Sequence, residues 1–260
     1  MRYTKANIIF FSATGTTEKV ATAIAQGTGI NTIETCDLIK KPQVEKQIPA
    51  DELTIIAMPV YAGRIPAPAA QALQNFNGNH SPAIIVCVYG NREFDDALVE
   101  MQDIAEKQGF EIVSAAAFIA RHSIFPTVAT QRPDADDIAI AHNFGKESLA
   151  RLHDTDILHL PPIAPQGNRP YRTPGNVPLK PRASRRCNMC GACALQCPTQ
   201  AIDSENPRHT DSARCISCAH CIAICPRGAR RFGGLIYRIA SQKFTKAYAS
   251  PRKEPYIIYR

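Results

Sequence analysis

Residues Asn7–Thr17 read NIIFFSATGTT, an apolar run that ends in a loop of small, hydroxyl-bearing residues. The run Asn7–Ser12 is short and nearly all apolar, as a strand buried on both faces must be, and Thr17–Gln26 carries apolar residues at helical spacing. Strand, small-residue turn and helix form the unit from which parallel sheets are wound. The unit recurs along the chain. Thr32–Asp37, Leu53–Val60 and Ala83–Tyr89 predict further strands, Glu93–Gln108 a helix charged on one face, Phe110–Ile119 a last strand and Asp134–Arg151 a last helix. The expectation is an α/β, doubly wound, five-stranded parallel sheet.

In such a sheet the first turn is where phosphate binds, at the amino end of the following helix. Ser12–Thr17 offers hydroxyls and backbone amides but no lysine, and it has neither GxGxxG nor GxxxxGK spacing. A monophosphate dianion suits that loop better than a triphosphate, although the hydroxyls would also serve simply to cap a helix. Ser12, Thr14, Gly15 and Thr17 match S/T-x-T-G-x-T, and here the chain resembles the flavodoxins over roughly residues 6–151. The resemblance implies that Ser12, Ala13, Thr14, Gly15, Thr16 and Thr17 hold the phosphate of FMN. It also implies that two later loops flank the flavin ring. One is PVYAGRIP, with Pro59, Val60, Tyr61, Ala62 and Gly63; the other is VYGNREFDDAL, with Tyr89, Gly90, Asn91 and Arg92. A further loop, ARHSIFP, brings His122 and Ser123 to the same sheet edge, where a lone histidine is more often structural.

Ten cysteines fall in the chain, eight of them in a duplicated unit. Cys187, Cys190, Cys193 and Cys197 recur 28 residues later as Cys215, Cys218, Cys221 and Cys225, and both fourth cysteines precede a proline, Pro198 and Pro226. Three thiolates at such short intervals reach three corners of one cubane. A tetrahedral zinc site uses two separated pairs and has no need of the third thiol, and disulfides do not suit a reducing compartment. Over roughly residues 185–230 the segment resembles the bacterial two-cluster 4Fe-4S ferredoxins, in which the fourth cysteine of each run ligates the other cluster. The resemblance implies one cluster on Cys187, Cys190, Cys193 and Cys225, and a second on Cys215, Cys218, Cys221 and Cys197. It departs from ordinary ferredoxins in being basic, with Arg185, Arg186, Arg214, Arg227, Arg230 and Arg231 around the thiols. Cys36 and Cys87, on predicted strands, read as small buried hydrophobes.

The formal charge of +7 is unevenly spread, with 13 Lys and Arg against 19 Asp and Glu in residues 1–160 and 17 against 4 in residues 161–260. Opposite halves favour docking on each other. Much of the positive charge also has a local explanation in anionic clusters and a flavin phosphate, so no nucleic-acid partner is expected. Seven prolines between Pro161 and Pro181 predict a stiff extended linker. The expected organisation is a flavin domain over 1–158, a linker over 159–183, a two-cluster domain over 184–232 and a basic tail over 233–260 that clamps back on the first domain. No apolar run nears the roughly 18 residues that span a membrane, and MRYTKANIIFFSATG has no cleavage site, so a cytoplasmic protein without a transmembrane segment is expected.

Taken whole, the chain resembles the flavodoxin-ferredoxin fusion proteins of anaerobic microbes. That implies an electron-transfer protein passing electrons between two 4Fe-4S clusters, one FMN and redox partner proteins. The competing reading is a flavin-dependent oxidoreductase that reduces a small acceptor, with Arg64, Arg92 or His122 over the ring. No paired carboxylates or nucleophile–base pair favours it.

Overall fold

A computed structural model describes residues 3–40, 45–154, 161–175 and 177–260. Predicted boundaries falling on other residues, including the 158/159 junction, lie outside the described residues. The first half alternates strand and helix as expected: β1 (Lys5–Phe10), α1 (Thr16–Gly27), β2 (Thr32–Asp37), the two-residue β3 (Lys46–Gln47), β4 (Leu53–Pro59), α2 (Ala67–Leu73), β5 (Phe76–Asn77), β6 (Pro82–Tyr89), α3 (Ala97–Lys107), β7 (Glu111–Ile119) and α4 (Ala135–Asp154). The cysteine region adds β8 (Arg182–Ala183), α5 (Ala192–Leu195), α6 (His220–Ala223) and β9 (Arg230–Arg231), and the tail adds α7 (Leu235–Tyr248) and β10 (Tyr256–Tyr259).

The five long strands of the first half lie parallel in the order β2-β1-β4-β6-β7. Counting only those strands, this is the 2-1-3-4-5 winding of flavodoxin-like folds, in which the order reverses beside the first strand and leaves a crevice at the carboxyl ends. The buried strands β4 and β6 are apolar along their length, because helices cover both faces. Val20, Ala21 and Ile24 of α1 and Phe144 of α4 pack on one face, whereas Leu73 of α2 and Leu98 and Met101 of α3 pack on the other. Helices α1 and α4 touch backbone to backbone through two glycines. A Cβ on Gly27 would stand 1.8 Å from the His142 carbonyl oxygen, and one on Gly145 would stand 2.0 Å from that of Ile24.

The five-stranded expectation needs one correction. The sheet has six strands, because β10 from the tail adds antiparallel to β7, pairing Tyr256 with Ala117 and Tyr259 with Ser114. The β7 edge is otherwise open, and unpaired backbone groups there favour exactly such an addition. Helix α2 was not expected either, since Pro66 and Pro68 mask a short helix whose first turn tolerates proline.

The proline-rich stretch is laid down along α3 instead of standing free. The buried Asp96 carboxylate accepts from the Asn168 and Arg172 amides at 2.8 and 2.7 Å, and Arg169 pairs with Asp103. Arg172–Asp95, Arg252–Asp134 and Lys253–Glu93 likewise join the basic half to the acidic half. These cations belong to the linker and tail. Arg185, Arg186, Arg227 and Arg231, next to the cysteines, form no ion pair among the described residues.

Candidate functional site

The carboxyl ends of β1, β4, β6 and β7 open on one cavity of about 210 Å³. Its walls include Ala13, Thr14, Thr16 and Thr17 from the first turn, Pro59, Val60, Tyr61, Ala62 and Gly63 after β4, and Tyr89, Gly90 and Arg92 after β6. His122 and Ser123 complete the edge after β7. Twelve of the fifteen residues expected to touch a flavin therefore face one space. Three do not line it. Ser12 is buried and accepts the Glu18 amide at 3.1 Å, which ties the turn to α1. Gly15 is the left-handed residue from which α1 starts. Asn91 turns its amide to the Tyr248 and Pro251 carbonyls at 2.7 and 3.2 Å, so its side chain holds the tail.

The chemistry of the turn fits a phosphate. Gly15, the N-cap of α1, has no side chain to cap the helix, and Ser12 Oγ takes only the Glu18 amide, so the turn offers the remaining first-turn amides with the positive end of the helix dipole behind them. After β4 the backbone turns through two successive left-handed residues, Ala62 (φ 53°) and Gly63 (φ 85°), and Tyr61 and Arg64 close the turn by pairing their backbones. Arg64 leaves the cavity: its guanidinium binds both oxygens of Glu100 at 2.7 Å and lies over the Tyr171 ring. Arg92, on the wall, is paired with Asp95.

His122 is held more firmly than a free catalytic base would be. Its Nδ1 accepts the Ile124 and Phe125 amides at 3.1 and 3.2 Å, so in the neutral ring the proton sits on Nε2. Burial, with the Arg92 guanidinium nearby, lowers its pKa to about 4. The ring closes over Gly90, where a Cβ would stand 2.5 Å from His122 Cδ2.

Three walls were missed. Phe244 of α7, Val177 of the proline-rich stretch and Ile216 of the second cysteine run all line the cavity. Phe244 stacks on Phe125 with centroids 4.6 Å apart and meets His122 edge-on at 4.7 Å. Tyr237, Phe244 and Tyr248 fall at helical spacing on one face of α7, a signal in the sequence that this helix packs. Nothing in the sequence shows where.

The cysteines form two rings. Cys187, Cys190, Cys193 and Cys225 line one cavity, and Cys197, Cys215, Cys218 and Cys221 line another. Each ring thus draws three thiols from one run and the fourth from the other. Each set of four thiols surrounds a small cavity of about 20 Å³. That suits a cluster, and the other walls, including Gly191, Ala192, Ala201 and Ala219, let backbone come close to sulfur. The Ala201 amide donates to Cys197 Sγ at 3.3 Å and the Ala229 amide to Cys225 Sγ at 3.2 Å. Burial would raise the Cys225 thiol, but the amides of Ala229, Arg227 and Arg230 outweigh it and lower the pKa. As free thiols, Cys218 and Cys221 are pushed up by burial to about 12 and about 11, so iron must displace their protons on binding. Cys87 is buried in β6 and Cys36 half-buried in the edge strand β2, and neither lines a ring cavity.

The sequence profile described as a 4Fe-4S dicluster domain matches residues 186–229. A ferredoxin named Ferredoxin-1 from Chlorobaculum tepidum is 38% identical over 50 residues, 16% of this chain and 81% of that protein. A trichloroethene reductive dehalogenase of Dehalococcoides mccartyi is 42% identical over 55 residues, 15% of this chain. This chain spans only 10% of the dehalogenase. Among solved structures, a Streptococcus pneumoniae TIGR4 flavodoxin superposes with a TM-score of 0.42 at 17% identity, covering 57% of this chain and 99% of its own. No helix among the described residues is long and apolar enough to cross a membrane.

Proposed function

We propose, on the premise that this chain belongs to the 4Fe-4S dicluster ferredoxin family through residues 186–229, that it is an electron-transfer protein carrying two 4Fe-4S clusters and one FMN. The observation that carries the reading is the packing of two four-thiol rings and a phosphate-ready sheet-edge cavity into one chain. Clusters supply single electrons and flavin one or two, so together they convert between single and paired electrons.

The chain's own residues bind and position. The turn at 12–17 holds the phosphate, the loops at 59–63 and 89–92 hold the ring, and Phe244 and Val177 cover it from water. The Ala201 and Ala229 amides stabilise thiolate charge on Cys197 and Cys225, which is one way a protein raises a cluster's potential. Redox proteins are the partners this reading requires. The competing oxidoreductase would need a free acid–base group above the ring, and all three candidates are committed: Arg64 to Glu100, Arg92 to Asp95, and His122 Nδ1 to backbone amides.

Anaerobic purification followed by iron, sulfide and flavin assays tests the proposal. About eight iron, about eight sulfide and one FMN per chain are expected. Zinc in place of iron, or no flavin, would overturn it. Sustained turnover of a small acceptor by the chain without any partner protein would favour the oxidoreductase; stoichiometric oxidation is expected.

A further inference from the structure

The two thiol rings do not stand in equivalent places. Ile216, between Cys215 and Cys218, lines both the flavin cavity and the second ring's cavity. His220, between Cys218 and Cys221, donates from Nδ1 to the Ala13 carbonyl at 3.0 Å, so the cysteine loop is bonded directly to the phosphate turn. Its Nε2 is buried with no partner, on the wall of the second ring. Cys218 is 8% exposed and belongs to the same apolar cluster as Ile9, Phe11 and Tyr89 of the sheet. Tyr61, on the flavin cavity wall, packs against that same cluster.

The first ring faces outward. Cys190 is exposed, Met189 beside it is 42% exposed and Leu195 is 87% exposed. Arg185 and Arg186 directly precede Cys187, and Arg227 lines the first ring's cavity; all three are exposed and without ion pairs among the described residues. An apolar centre with a cationic rim fits an acidic protein surface.

We infer that the ring of Cys197, Cys215, Cys218 and Cys221 is the inner electron port, meeting the flavin cavity through Ile216 and His220. The ring of Cys187, Cys190, Cys193 and Cys225 is then the outer port, where an acidic one-electron carrier protein docks. Electron transfer slows steeply with separation, so the order of packing sets the order of travel. One electron lost by the carrier reduces the outer cluster, the same electron passes to the inner cluster and then to flavin, and a second pass with two protons from solvent completes a two-electron reduction. The reverse sequence balances equally. Ile216 and His220 act here as positioning residues.

This inference rests on the proposed cofactor content, which iron, sulfide and flavin assays settle first; if they fail, the function falls and the route is moot. On loaded full-length protein, flavin fluorescence then reads proximity. In Cys190→Ser and Cys215→Ser, each retaining about half the iron, fluorescence should stay quenched in Cys190→Ser and rise several-fold in Cys215→Ser. The opposite pattern, or equal rises, overturns the order. If either variant fails to hold half its iron, an anaerobic crystal structure of the loaded wild type decides: the Cys215-containing cluster must lie nearer the ring, and a longer or equal separation overturns the inference. For the outer port, Arg185→Glu with Arg186→Glu should slow reduction by a reduced, acidic bacterial ferredoxin about tenfold at low salt, with flavin quenching unchanged. An unchanged rate would remove the docking half of the inference.

Discussion

The segments Cys187–Pro198 and Cys215–Pro226 share a backbone and differ in surroundings. Met189 and Ser217 have φ 64° and 57°, Gly191 and Ala219 have 75° and 66°, and α5 and α6 are offset by the same 28 residues. Yet the first segment leaves Cys190 exposed, whereas the second buries Ser217, Cys218 and Ala219 to 2%, 8% and 2% exposure against the sheet domain. Duplication therefore copies the way thiols are held, and docking decides what each copy touches. The cost of damaging equivalent residues should differ accordingly.

The largest difference is expected between Cys218→Ser and Cys190→Ser. Both should lose about four iron, since each removes one ligand of one cluster. Cys218→Ser also places a hydroxyl in an apolar cluster, and thermal or chemical unfolding should show it about 3 kcal/mol less stable than Cys190→Ser. Equal losses would mean that the second segment is not docked. Next comes Asp96→Ala. Its carboxylate holds the Asn168 and Arg172 amides, and its removal orphans both donors and frees the stretch that runs on to Leu179 and Lys180, which bond to the second segment at Ser217 and Cys215. A loss of about 2 kcal/mol is expected, with faster proteolysis near Arg172 and little change in iron at the exposed ring.

A smaller effect follows from His122, whose ring forms the wall between Gly90 and Phe244 beside the docked segment. Its pKa is depressed in the folded state to about 4, so unfolded chain binds the proton more readily. Stability from this group is present above about pH 6.5 and is lost as pH falls toward 4. The loss should be about 1–2 kcal/mol once partial exposure is allowed for. His122→Asn keeps an acceptor for the Ile124 and Phe125 amides but does not titrate; denaturant curves at pH 7 and pH 4.5 should lie closer together for this variant than for wild type.

Much of this was legible in the sequence because it depends on local spacing. Five parallel strands follow from apolar runs separated by helical patterns, and three thiols of each ring follow from the duplicated 3-3 cysteine intervals, whereas the exchange of the fourth cysteine was implied only by the resemblance to two-cluster ferredoxins. What was not legible depends on which distant surfaces meet. Tyr256–Tyr259 is four residues in a basic tail, and only the free β7 edge makes it a strand. Ile216 looked like a spacer between ligands; its place on the flavin cavity comes from how the second segment docks. Asn91 looked like a ring contact because it follows Gly90, but its amide is spent on the Tyr248 and Pro251 carbonyls. The charge split foretold docking, and the cations that achieve it come from the linker and tail, not from the arginines beside the thiols.

The smallest effect isolates backbone from surroundings, at the left-handed position held by Gly191 in the first repeat and Ala219 in the second. Gly191 has open space where a Cβ would go, so Gly191→Ala incurs only the left-handed strain of an L-residue, about 1 kcal/mol. Ala219 already bears that strain at φ 66° and is buried to 2% exposure, in the apolar cluster with Phe125 and Phe232. Ala219→Gly relieves the strain but gives up a buried methyl of about 0.8 kcal/mol and adds freedom to the unfolded chain. The terms nearly cancel, so this variant should unfold within about 0.5 kcal/mol of wild type while Gly191→Ala is measurably weaker. Were Ala219→Gly instead clearly stabilising, the methyl would be contributing little, and the second segment would sit more loosely on the sheet domain than its burial indicates.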